Sequence, residues 1–117
     1  MQRVCTECND MLSVLNERLE QDASKVQVQT SVAEDLAVQI EQENETLKVL
    51  MRQKTRDVLR AGENASIVEA TYDDLIKEST NKIKGLENQM LMVVDLRNTF
   101  VQAERFTRTV LDILRDI

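Results

Sequence analysis

The chain has 117 residues, of which 31% are charged, a net charge of −6, no proline, two glycines, and Tyr72, Phe100 and Phe106 as its aromatic residues. Sandwiches, barrels and α/β folds need frequent turns and bulky β-branched or aromatic cores, so this composition argues against them and for long helices. No run of basic residues marks a nucleic-acid or membrane-surface partner, and the longest apolar stretch, Met90 to Val94, is far too short to cross a bilayer.

The first element expected is a helix over residues 3–61. Counting sevens from Leu12 gives Leu12, Leu19, Val26, Ala33, Ile40 and Leu47, with a companion set three residues on: Leu15, Asp22, Gln29, Leu36, Glu43 and Leu50. Two interleaved sets of this kind form a seam along a slightly underwound helix. Extended backwards, the seam takes in Cys5 and Cys8. The Ser31 and Glu34 pair resembles a helix start, but no stop signal precedes it, so it reads as helix interior.

A turn is expected at residues 62–65. Gly62 stands where a helix can end in the left-handed conformation. Arg56 and Arg60 lie in the turns before it, where cations suit the helix dipole. Ser66 with Glu69 matches a capping box that would start a second helix over residues 66–117.

The second helix has its own seam, built on Tyr72, Ile76, Ile83, Leu86, Met90, Val93, Phe100, Leu111 and Leu114. Ser79, Arg97, Glu104 and Thr107 interrupt it, and its register is one residue away from that of the first helix. Gly85 falls inside this stripe and costs about 1 kcal/mol relative to alanine without ending the helix.

Folding the chain back at residue 63 pairs residues whose numbers add to about 126, as in an antiparallel helix pair. Leu12 then meets Leu114, Leu15 meets Leu111, Val26 meets Phe100, Ala33 meets Val93, Leu36 meets Met90, Ile40 meets Leu86, and Leu50 meets Ile76. Polar residues also gather: Asp22 near Glu104 and Arg105, Gln29 near Arg97, and Glu43 opposite Ile83 between Lys82 and Lys84. Leu19 against Thr107, Leu47 against Ser79 and Asp57 against Glu69 match less well.

The alternative is a continuous parallel dimer, a rod of roughly 175 Å at about 1.5 Å per residue. In the rod Glu43, Lys54 and Asp57 would each face their own copies, and like charges brought together oppose ionisation. Val68, Leu75, Leu96, Ala103, Val110 and Ile117 keep one phase running past the turn and support the rod. The expected fold is therefore all-α: one coiled-coil domain over residues 1–117, an antiparallel two-helix hairpin assembling into a helical bundle, with the parallel rod second.

Two helices alone cannot cover all these apolar residues. Leu96, Phe106, Val110, Ile113 and Ile117 form a second stripe beside the seam, and the hairpin brings Val4 and Met11 close to it. This open end is the expected partner-binding surface, closed by a second copy or by a different helical protein.

Cys5 and Cys8 have the CxxC spacing of zinc and redox sites. The chain has no histidine and no second cysteine pair, and no βαβ pattern surrounds the motif. Core packing is therefore favoured over an intermolecular disulfide or a metal shared between chains. Gly62 and Gly85 lie too far apart to form a phosphate loop, and the lack of histidine removes most general-base schemes. Acidic pairs such as Asp73 and Asp74 read as a solvated helix face, and Met90 to Met92 as ordinary packing.

No enzyme, cofactor or small-molecule substrate is expected. The sequence reads as a structural interaction protein acting through coiled-coil helices, as a subunit or segment of a larger assembly. A second reading is a chaperone or adaptor that holds a partner's amphipathic helix transiently, and a third is a thiol or metal switch at Cys5 and Cys8. The N-terminal residues lack the apolar run of a secretory signal, so an intracellular setting is expected, cytoplasmic or cytoskeleton-associated.

Overall fold

The computed structural model describes the backbone of residues 2–116 and the side chains of residues 7–116. The Val4 and Cys5 side chains and Ile117 lie outside the described residues. Two long helices account for nearly all of the chain: α1, Gln2–Ala61, and α2, Ala65–Asp116. A single 3-10 turn, Gly62–Asn64, separates them, and there is no strand among the described residues. Threonines inside the helices satisfy their hydroxyls locally. Thr30, Thr55, Thr80 and Thr99, for example, each donate their hydroxyl to the carbonyl four residues earlier.

The chain forms two compact units, Met1–Ala33 with Met92–Ile117 and Glu34–Leu91. The second unit contains the turn. Gly62 has φ +58°, the only positive φ among the described residues, and this left-handed residue lets α1 end and the chain reverse. Ala65 donates its N–H to the Gly62 carbonyl and already has helical angles. Ser66, expected as the cap, thus sits inside α2 just past its start. Glu69 approaches Lys54 instead, at 3.9 Å.

In this unit α1 and α2 run antiparallel. Lys54 reaches Asp73 at 2.6 Å, and Glu43 receives Lys82 at 3.3 Å. Leu36 and Ile83 are its buried apolar residues, joined by the buried Ser79. Ser79 donates to Glu43 Oε1 at 3.0 Å, so the poor Leu47–Ser79 match is relieved one turn away along α1. Asp57 likewise turns from Glu69 to accept a hydrogen bond from the Tyr72 hydroxyl.

The first unit also holds an antiparallel helix pair. The Arg97 Nε donates to the Thr30 hydroxyl at 2.8 Å, and the Lys25 ammonium lies 5.3 Å from the centre of the Phe100 ring. Such a cation over a half-buried ring contributes about 0.5–1 kcal/mol. Leu111 is its one fully buried large side chain, and Asp22 and Thr107 are its buried polar residues. Among the described residues, every buried side-chain nitrogen or oxygen has a hydrogen-bond partner.

The two glycines should respond oppositely to alanine. A Cβ would meet nothing within 4 Å at either site, so backbone conformation alone decides the sign. Gly62→Ala should lose about 1–2 kcal/mol to left-handed strain. Gly85→Ala, inside α2, should gain about 0.5–1 kcal/mol. Urea denaturation followed by circular dichroism measures both.

Candidate partner-binding surface

A helix of 3.6 residues per turn places a second row of side chains beside its seam, again at alternating steps of three and four. On α2 of the first unit this row is Met92, Leu96, Thr99, Ala103, Phe106, Val110 and Ile113. On α1 it is Met11, Val14, Arg18, Gln21, Lys25, Val28 and Val32. Both rows lie on the same side of the helix pair. Met11 and Val14 share an apolar hollow of about 530 Å³ with Leu15, Val110 and Leu114, rimmed by Glu7 and Asp10.

The row is apolar yet open to solvent. Phe106 is 71% exposed, Val14 64%, Ile113 57% and Met11 56%. Leu96, Val28, Val32 and Met92 are exposed as well, while Val110 is half-buried at the hollow. The other side of the helix pair carries Ser13, Asn16, Glu20 and Gln27 on α1 and Asn98, Arg105, Arg108 and Asp112 on α2, all exposed. One face of the first unit is thus apolar and the opposite face is largely polar.

Of the surface residues expected from the sequence, Met11, Leu96, Phe106, Val110 and Ile113 fall in this face. Val4 and Ile117 lie outside the described residues. Val14, Val28 and Val32 are additional members. Their signal is a second row on α1, obscured in the sequence by Arg18, Gln21 and Lys25.

The second unit has exposed apolar residues of its own beside the turn. Leu59 is 80% exposed and Ile67 69%. Leu59 lines a hollow with Lys54, Thr55, Val58 and Glu69, and Ile67 lines another with Leu50, Val68, Tyr72 and Leu75.

The polar groups of the second unit are arranged for pairing. The hydrogen bond from Tyr72 holds the Asp57 carboxyl below the usual carboxylate range and pushes the Tyr72 hydroxyl up. The Asp73 carboxylate, through its hydrogen bond and charge, raises the Lys54 ammonium. Each shift reinforces the charge state the group already has at neutral pH.

Cys8 is a free, half-buried thiol at its seam position. Among the described residues no three His, Cys, Asp or Glu side chains gather as a metal site, and no helix is long and apolar enough to cross a membrane. The chain matches no protein-family model, no curated protein and no solved structure.

The Tyr72–Asp57 bond has a testable pH signature. A depressed carboxyl pKa in the folded state contributes stability above the unfolded pKa, and this is lost as pH falls through the folded value. Tyr72→Phe should raise the Asp57 pKa and flatten the loss of stability as pH drops from about 5 towards 2. Carboxyl-carbon NMR titration together with melting curves checks both effects.

Proposed function

We propose that this chain is a non-enzymatic structural interaction protein, a helical subunit or segment that builds a larger assembly by packing the apolar face of its first unit against another helix. The exposure of Phe106, Ile113, Met11 and Val14 in one face carries this reading. Each large apolar side chain covered there contributes about 1.5–3 kcal/mol. Three apolar side chains of the described residues, Leu36, Ile83 and Leu111, are buried within the chain itself. The total accessible surface of 8975 Å² exceeds the ~6,500 Å² typical of a monomer of 13.4 kDa.

The seam also supports an assembly role over a catalytic one. Its polar members Glu43, Ser79 and Arg97, with Thr30 at its flank, are used in pairing the helices. Pairs of this kind fix register at modest benefit to stability.

Phe106→Asp combined with Ile113→Asp tests the proposal. Circular dichroism should show unchanged helicity, because both side chains lie off the seam. The wild-type chain should then show one of two behaviours in light scattering and dye binding. If it self-associates, the double variant should fall to the mass of one chain. If it is monomeric, the double variant should lose several-fold of the fluorescence of an apolar-surface dye. Unchanged mass together with unchanged dye binding contradicts the proposal.

A further inference from the structure

The charge pattern within the apolar face specifies its occupant. The α1 row is apolar at both ends, Met11 and Val14 at one and Val28 and Val32 at the other, with Arg18 and Lys25 between them. The α2 row contributes Ala103 and Phe106 at this level and no charge. The row therefore holds two cations and no carboxylate across its middle; Glu17 lies outside it, on the next row of α1. Neither Arg18 nor Lys25 forms an ion pair among the described residues, and Lys25 rests over Phe100.

A second copy answers this pattern poorly. Two copies meeting face to face are related by a two-fold axis lying between the faces. With the axis across the helices, α1 lies over α1 and the cations oppose cations. With the axis along the helices, α1 lies over α2, and Arg18 and Lys25 are pressed against the uncharged row residues Ala103 and Phe106; Glu104, the one carboxylate of that stretch, lies in the seam and is held by Arg108 at 3.0 Å. Covering a charge without a partner is strongly unfavourable, so both arrangements select against self-pairing. Resting on the interaction role proposed above, we infer that the face takes a single amphipathic helix of a different protein, about 22 residues long, with an apolar 3–4 stripe and acidic side chains at its centre. A helix of that length spans about 33 Å, enough to cover the row from Met11 to Val32. Central acidic residues meet Arg18 and Lys25 whichever way the helix runs.

The test uses two synthetic 24-residue helical peptides, identical except for two glutamates or two lysines at the centre of an apolar stripe. Binding to the full chain is read by fluorescence anisotropy. The glutamate peptide should bind about tenfold more tightly than the lysine peptide, and more weakly as salt is raised. Arg18→Glu with Lys25→Glu should reverse the preference, and Arg18→Gln with Lys25→Gln should bring the two peptides near parity, with helicity confirmed for each variant. Equal affinity for both peptides, binding of neither, or a preference that survives charge reversal would overturn the inference. So would a wild-type dimer that Phe106→Asp dissociates, because a second copy would then occupy the face; that outcome leaves the interaction role itself standing.

Discussion

Everything in this molecule depends on one narrow seam. Two antiparallel helices can bury only the side chains that point at each other, and the seam uses two positions in every seven for that purpose. The rows on either side stay in solvent whatever their chemistry. Where those rows are polar the helix pair is self-sufficient. Where they are apolar, as on one side of the first unit, the pair carries surface that only another molecule can cover. The seam thus produces both the fold and the unmet requirement from which the function is inferred.

The polar seam residues show how such a thin structure tolerates imperfect layers. Ser79 in the second unit and Thr107 in the first are buried where larger apolar residues would pack better, and Asp22 is buried in the first unit as well. Ser79 donates to Glu43, which also receives Lys82 at 3.3 Å. Thr30 accepts from Arg97 while donating to the carbonyl of Val26. These are part-exposed contacts, each worth little alone, but every one of them specifies a register that a purely apolar stripe would leave free to slip by seven.

Much of this architecture was legible in the chain because helical periodicity is a local property. None of the seam residues from Leu12 to Leu50 and from Tyr72 to Leu114 is exposed, and the heptad count alone located them. Gly62 was legible because its left-handed backbone is a demand that glycine meets most cheaply. The start of α2 was misread: a 3-10 turn leads directly into helical angles at Ala65, and the Ser66–Glu69 cap is not needed. The level count places Glu43 beside Lys82, as found, but not the bonds that Ser79 gives to Glu43 and Tyr72 gives to Asp57, because each carboxylate also reaches one turn along the partner helix. On the surface, Val14, Val28 and Val32 escaped notice because Arg18, Gln21 and Lys25 break their row. The exposed Leu59 and Ile67 beside the turn lie off any stripe.

The antiparallel pairing within the first unit is the claim on which the face, its occupant and the role all rest, and a single distance tests it. Spin labels at Ser13 and Asp112, both exposed and on the polar side, would be measured by pulsed electron resonance with doubly labelled chain diluted into unlabelled chain. Helices packed 8–10 Å apart place such labels within about 20 Å of each other. A separation approaching ~150 Å, the length of the intervening residues in one unbroken helix, would contradict the account.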